Sequence, residues 1–282
     1  MTTDSKTLRE LAWMLAARAR RDVMSCLAGT AVSRLRGAGI DFHELREYHP
    51  EDDARHIHWP SATSFGPVTV KQFHEENELR DLVALDVSSS MTVSAPKWRL
   101  ATETAALFCA IAALFGDGFS LLRFDDKTES HTSLPAGQRS LEVAARQILE
   151  IPPQPADTNL PALCDSIANA LMKPSRVFIV SDLIGEDYDA ALKRLAFRHD
   201  VTVCHILPDI LSELPPHVTE VQDAETGVRI ALQRHSRADA ADSQRQFIDD
   251  SSRRVHSCNA SYIHFSDDKT PAETLKIALS KI

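Results

Sequence analysis

The sequence predicts an α/β chain: a three-layer, doubly wound and mostly parallel sheet over residues 81–282, with a small β-rich N-terminal extension over residues 1–80. Three observations lead there. From residue 82 onward, short apolar runs of strand length alternate with segments of helical periodicity. Such alternation means βαβ crossovers and a sheet whose two faces are both covered by helices. Two stretches break the alternation, residues 1–80 and 218–231, and both carry extended patterns of their own.

In chain order, residues 1 to about 26 form a basic amphipathic helix, followed by extended segments near 40–48 and 68–73. Leu82-Val83-Ala84-Leu85-Asp86-Val87 is a buried strand. Ser94-Ala95-Pro96 is a helix start signal, and the helix it opens runs from about 97 to 115. Strands follow at 119–124 and, as a short edge, 129–134; helices at 141–149 and 160–172; and a strongly β-prone run at 176–180. A helix at 188–198, a strand at 201–207, a helix at 243–257, a strand at 261–265 and a helix at 271–281 complete the pattern. Residues 218–231 alternate around Glu225-Thr226-Gly227, a hairpin signature. A lone hairpin is marginal in water, so this one is expected to pair with the extended parts of the N-terminal segment, 40–48 and 68–74.

Composition narrows the function. With 282 residues, 43% hydrophobic and 25% charged, the chain is neither disordered nor collagen-like nor a disulfide scaffold. Its net charge of −9 opposes a nucleic-acid binder, which needs a basic patch. The longest apolar run, residues 105–115, is far below the roughly 20 residues that cross a bilayer. Charges at Arg9, Glu10, Arg18, Arg20, Arg21 and Asp22 break up any secretory h-region, so a cytoplasmic protein is expected. The five cysteines (Cys26, Cys109, Cys164, Cys204 and Cys258) are scattered without a C-x-x-C pair, and are expected to be reduced packing residues.

In an open α/β sheet, ligands bind beyond the carboxyl ends of the strands, where the strand order reverses. Three such places carry oxygen donors. The first strand runs into Asp86-Val87-Ser88-Ser89-Ser90, the 176–180 run leads into Ser181-Asp182, and Asp157-Thr158-Asn159 precedes the 160–172 helix. Carboxylates and hydroxyls without His or Cys form a hard-oxygen set suited to Mg²⁺ or Mn²⁺. Each piece alone is weak evidence, since an Asp after a strand often caps the next helix and Thr158 could be a plain N-cap. Their convergence under the predicted fold is what makes a site.

Catalytic readings fit less well. A phosphohydrolase of the haloacid dehalogenase type needs a second Asp two residues after the first, where Ser88 stands. Neither Gly-x-Ser-x-Gly, nor a Gly-rich phosphate loop ending in Lys-Ser/Thr, nor Gly-x-Gly-x-x-Gly occurs.

The Asp-x-Ser-x-Ser loop with the two further pieces resembles the von Willebrand factor A-like fold and its metal-ion-dependent adhesion site. The resemblance implies Ser88 and Ser90 as direct metal ligands, Thr158 as a direct or water-mediated one, and Asp86 and Asp182 acting mostly through water. A position would stay open for a partner's carboxylate.

Upstream, the segment from Gly37 and Gly39 through Arg46-Glu47-Tyr48 to Arg55, Ile57 and Trp59 is similar to the MoxR-associated domain-of-unknown-function family numbered fifty-eight. Val70-Lys71-Gln72-Phe73-His74-Glu75-Glu76 and the later Asp223-Ala224-Glu225-Thr226-Gly227 extend that similarity along nearly the whole chain. Glu51, His58 and Ser64 depart from the usual Gly, Asp and Arg. The similarity implies a metal-dependent protein-binding module, not an enzyme. It would be an adaptor working with a MoxR-type AAA+ ATPase in assembly or activation of an acidic-residue-bearing client; a metal-dependent phosphohydrolase using the same Asp/Ser/Thr site is the alternative. His43, His49, His56, His58 and His74 match no zinc spacing and are expected at an interface between extension and sheet. Arg46, Glu47, Asp52, Asp53 and Arg55 are expected to form an ion network there, anchored by Trp59.

Overall fold

The computed structural model describes residues 5–27, 42–47, 69–73, 81–92, 94–115, 118–127, 129–150, 156–209, 220–222, 229–231 and 236–280. Helix α1 (Ser5–Leu27) comes first, then strands β1 (Phe42–Glu47) and β2 (Thr69–Phe73). Strand β3 (Asp81–Asp86), the one-turn α2 (Ser89–Thr92), α3 (Ala95–Phe115), β4 (Gly118–Phe124) and β5 (Glu129–Pro135) follow. Next are α4 (Gln138–Leu149), α5 (Leu160–Ala170), β6 (Arg176–Ser181), α6 (Asp189–Ala196) and β7 (Asp200–Ile206). The short strands β8 (Glu220–Gln222) and β9 (Arg229–Ala231) precede α7 (Ser236–Ser257), β10 (Ser261–Phe265) and α8 (Pro271–Ser280).

Six strands form one sheet in the order β10-β7-β6-β3-β4-β5. Every pair is parallel except β4 with β5. The chain winds outward from β3 through β4 to the edge strand β5, then returns across the sheet to β6 and winds out the other way. The strand order therefore reverses between β3 and β6, which opens the crevice where this class of sheet binds ligands. Central β3 is buried at all its positions, as a parallel strand covered on both faces must be. Edge strand β5, with Glu129, Ser130, His131 and Ser133, is largely exposed and polar, which protects the free edge from pairing with another chain.

The two faces are filled differently. Helix α3 lies across β3, β4, β6 and β7. Its small residues Ala101, Ala105, Ala106 and Ala110 allow a close approach, and Phe108 stacks on Phe178 with ring centroids 4.3 Å apart. On the other face Leu160, Leu163 and Ile167 of α5, Leu192 and Leu195 of α6 and Val255 of α7 join Leu82, Ala84, Val177, Ile179 and Val203 in one cluster. Each fully buried aliphatic side chain here contributes about 1.5–3 kcal/mol relative to exposure. Cys109, Cys164, Cys204 and Cys258 are buried, unpaired thiols. Burial pushes Cys164 up to about 12 and raises Cys109 and Cys204 further, so these act as small apolar residues.

The chain divides into two compact units, residues 33–78 and residues 1–32 with 79–282. Helix α1, which the sequence grouped with the extension, thus belongs to the α/β unit. The cause is its stripe Ala12, Ala16, Ala19 and Val23, which is buried where α1 packs on α3 and α4. Arg18 adds an ion pair to Glu103, and Arg20 a 2.8 Å hydrogen bond to Gln138. In unit 33–78, β1 and β2 pair antiparallel, with an irregularity between Phe42 and Glu44. The hairpin read at 218–231 forms an antiparallel ladder of β8 with β9, Val221 opposite Ile230. Among the described residues each ladder is local, β1 with β2 and β8 with β9, and the other residues of 40–48, 68–74 and 218–231 lie outside the described residues. His49, His56, His58, His74, Asp52, Asp53, Arg55 and Trp59 lie outside the described residues, as do the side chains of His43, Arg46 and Glu47. Among the described residues no helix is long and apolar enough to cross a membrane.

Candidate metal centre

Strand β3 ends on Asp86 and its neighbour β6 on Ser181, so the parallel ladder itself brings two oxygen-bearing side chains to one end of the crevice. Asp86 is fully buried and its carboxylate is the hub. Oδ1 accepts the backbone N–H of Ser88 at 2.9 Å, an Asx-type turn that reverses the chain after the strand. Oδ2 accepts two hydroxyls, from Thr158 at 2.9 Å and from Ser181 at 2.7 Å. Ser88 and Ser90 share a hydrogen bond between their hydroxyls, 3.1 Å apart.

Backbone bonds hold the loop of Thr158 in place. Ser89 N–H donates to Ala156 O at 2.8 Å, and the Ser89 hydroxyl is 3.0 Å from both the N–H and the carbonyl of Ala156. Asp126 N–H donates to Asp157 O at 2.7 Å, tying the same loop to the end of β4. Asn159 then caps α5 by accepting Ala162 N–H at 2.9 Å, and Pro161 sits in the first turn, where its missing N–H costs nothing.

The loop after β6 is strained. Leu183 has φ 60°, a left-handed conformation that L side chains adopt at a cost of about 1–2 kcal/mol. The strain is held by the Leu183 N–H bond to Ser181 Oγ at 3.1 Å and by burial of its side chain. Gly185, at φ 137°, lies so close to Thr158 that a Cβ would stand 3.3 Å from the Thr158 carbonyl oxygen. Only glycine combines that backbone with that approach.

The second carboxylate is Asp182, fully buried beside the hub. Its Oδ1 accepts Ile184 N–H at 3.1 Å, and its Oδ2 accepts the ammonium of Lys97 at 2.6 Å. Burial, reinforced by the Asp182 charge, pushes Asp86 up to about 6, against the hydrogen bonds from Ser88 and Ser181. The three hydrogen bonds donated to Asp86 favour its ionised form.

All five residues singled out from the sequence, Asp86, Ser88, Ser90, Thr158 and Asp182, converge here and are buried. The donors are carboxylate and hydroxyl oxygens without sulfur or imidazole, and that chemistry fits a hard divalent cation. Thr158 donates its proton to Asp86, which leaves its oxygen lone pairs available to a cation, whereas Ser181, which also donates to Asp86, already accepts the Leu183 N–H. The sequence offers Ser181 at the Ser181-Asp182 strand end without marking it as one of the donors; its signal is its place at the end of the strand next to the one ending in Asp86. Lys97 escaped the sequence reading. Lys97 could have been found as a cation in the first turn of a helix, where the helix dipole opposes it.

Comparison with known proteins finds similar sequences and similar solved structures. Uncharacterized protein Rv1480 of Mycobacterium tuberculosis (strain H37Rv) and uncharacterized protein Mb1516 of Mycobacterium bovis are each 25% identical over 252 residues, covering 86% of this chain and 80% of theirs. Among solved structures, an aerotolerance-related membrane protein from Bacteroides fragilis aligns at 15% identity with a TM-score of 0.46, over 72% of this chain and 100% of that one. The SpRpn10 VWA domain aligns at 10% identity with a TM-score of 0.38, over 70% and 93%. The strand order, with its antiparallel β4–β5 pair, and the Asp-x-Ser-x-Ser loop at the switch point make the α/β unit von Willebrand factor A-like. Residues 44–252 match the family described as "Protein of unknown function DUF58", and the chain belongs to that family.

Proposed function

We propose that this chain is a divalent-metal-dependent protein-binding module, with Mg²⁺ or Mn²⁺ as its cation and Ser88, Ser90 and Thr158 as hydroxyl donors. The observation that carries this reading is the convergence of hydroxyls and a backbone N–H on the buried carboxylate of Asp86. Such a network fixes each hydroxyl before any ligand arrives, so little ordering cost remains on binding. Neutral hydroxyl donors leave a bound cation electrophilic towards an outside carboxylate. Asp86 and Asp182 then act from behind the hydroxyls, Asp86 as their acceptor and Asp182 as a fixed negative charge.

The partner follows from the family resemblance: a MoxR-type AAA+ ATPase, with an acidic residue of a client protein as the group recognised, in a cytoplasmic assembly or activation role. Isothermal titration of Mg²⁺ into the wild type and Asp86→Ala tests the site, and loss of binding in the variant is expected. Pull-down with and without EDTA, and with Ser88→Ala, tests the partner; recovery of the ATPase that persists without metal would reduce the cation to a structural role.

A metal-dependent phosphohydrolase is the competing reading, favoured by the raised pKa of Asp86, which suits an acid–base group. Both oxygens of Asp86 are already engaged by Ser88, Thr158 and Ser181, which argues against it as a nucleophile. Turnover of a generic phosphoester, abolished by Asp86→Ala, would decide for hydrolysis.

A further inference from the structure

We propose that Lys97 is a built-in counter-ion of this site, one that competes with a divalent cation for Asp182 and so sets how tightly the cation is held. The inference rests on the metal reading above and goes beyond it, because Lys97 belongs to no part of the donor set.

The ammonium of Lys97 is 2.6 Å from Asp182 Oδ2, with the two side chains 10% and 0% exposed. Burying a lysine is costly and uncommon unless it is paired. Its position makes the cost higher. Lys97 stands in the first turn of α3, where the helix dipole is positive and favours anions over cations. With 40 Asp and Glu against 31 Lys and Arg, the chain offers a lysine many other carboxylates. The side chain is therefore placed for Asp182.

Charge counting gives the consequence. Asp86 and Asp182 bring two negative charges and Lys97 one positive, so these three groups together present a single negative charge to a divalent cation. Without Lys97 the same cation would meet two. A lysine ammonium and a divalent cation a few ångströms apart repel strongly even under water-like screening, by a factor of at least about ten in affinity. Lys97 also satisfies Asp182 by itself, so the fold does not depend on a cation to neutralise that carboxylate. The device makes the site one of moderate affinity that fills and empties with cation concentration, rather than a permanent structural metal site.

The test uses the full chain and MgCl₂ alone as the probe. Lys97→Met is expected to tighten Mg²⁺ binding by about tenfold or more in calorimetry, whereas Lys97→Arg keeps the charge and stays near the wild type. Thermal unfolding gives the second readout: EDTA is expected to lower Tm markedly in Lys97→Met and little in the wild type. Because Lys97→Met leaves Asp182 unpaired in the interior and could fold poorly, Lys97→Gln, which removes the charge but can still donate a hydrogen bond to Asp182, repeats the comparison. There too Mg²⁺ affinity should increase. If the wild type binds Mg²⁺ and affinity is unchanged or lower in either folded lysine-free variant, the proposal is overturned while the metal reading stands. If neither the wild type nor any lysine-free variant binds Mg²⁺ or Mn²⁺, the metal reading itself fails and the proposal falls with it.

Discussion

Ser181 Oγ donates a 2.7 Å hydrogen bond to Oδ2 of Asp86, joining the ends of two adjacent strands that are 95 residues apart in sequence. Both groups are fully buried, so no water can replace the bond. A hydrogen bond to a charged group contributes about 1.5–3 kcal/mol, and removing the donor strands part of a buried carboxylate. Ser181→Ala should lower the unfolding free energy by that amount in urea denaturation. A loss within about 0.5 kcal/mol would mean that the hub tolerates one donor fewer.

Gly185 lets the loop after β6 press against Thr158. Gly185→Ala combines a left-handed backbone with a Cβ only 3.3 Å from the Thr158 carbonyl, so one of the two loops must move. A cost of about 1–3 kcal/mol is expected, together with weaker Mg²⁺ binding in calorimetry because Thr158 is displaced. Gly137 is the control. It has φ 119° with nothing within 4 Å of an added Cβ, so Gly137→Ala should cost stability without touching Mg²⁺ affinity. Equal effects of the two substitutions on binding would show that Thr158 is not a donor.

The sheet was legible because parallel strands covered on both faces are largely apolar: the run from Leu82 to Val87 matches the strand Asp81–Asp86 to within a residue at each end. Where burial does not impose a pattern, the reading fell short. Helix α7 starts at Ser236, seven residues before the expected 243, because Ala238, Ala240 and Ala241 promote helix without apolar periodicity. The convergence of the five candidate residues could be read since each follows a strand or precedes a helix. The bonds that Lys97 and Ser181 make could not, because they span 85 and 95 residues and no local spacing encodes them. Ladder partners of short strands are in the same position: nothing in the alternation at 218–231 says which edge it meets.

Arg176 grips Asp81 with two bonds, Nε to Oδ1 at 2.6 Å and a terminal nitrogen to Oδ2 at 2.8 Å. The carboxylate is 1% exposed, and burial raises its pKa even against the guanidinium. Removing the arginine alone should therefore cost about 3–5 kcal/mol at pH 7, by leaving a buried charge unpaired. The pH dependence has a definite sign. A folded-state pKa above the unfolded value means that the native state takes up the proton first, so Arg176→Ala should recover part of its loss as the pH is lowered from 7 to 5. The double variant Asp81→Leu/Arg176→Leu should fall within about 1–2 kcal/mol of the wild type, since a packed apolar pair replaces the ion pair without a stranded charge. A single variant as stable as the wild type would show that the pair adds nothing.

His205 of β7 and His264 of β10 stand opposite each other in the parallel ladder, with ring centroids 5.8 Å apart. His205 is fully buried; its Nδ1 is 2.6 Å from the Tyr262 hydroxyl, and the Phe247 ring meets it edge-on. Burial pushes His205 down to about 3, with the His264 charge acting in the same direction, and burial lowers His264 as well. Both imidazoles are neutral in the fold, while in the unfolded chain they titrate near 6.5. Protons thus bind the unfolded chain preferentially below about pH 6.5, and the stability present above that value is lost as the pH falls towards 3. Two pH units below 6.5, His205 alone should cost on the order of 2–3 kcal/mol. His205→Phe keeps the ring packing and removes the titration, so its stability should decline less steeply between pH 7 and 4.5 than that of the wild type. The check is the unfolding free energy from urea titrations at four or five pH values. Parallel slopes for the two proteins would assign the acid sensitivity to carboxylates elsewhere, and a steeper slope for the variant would contradict a neutral, buried His205.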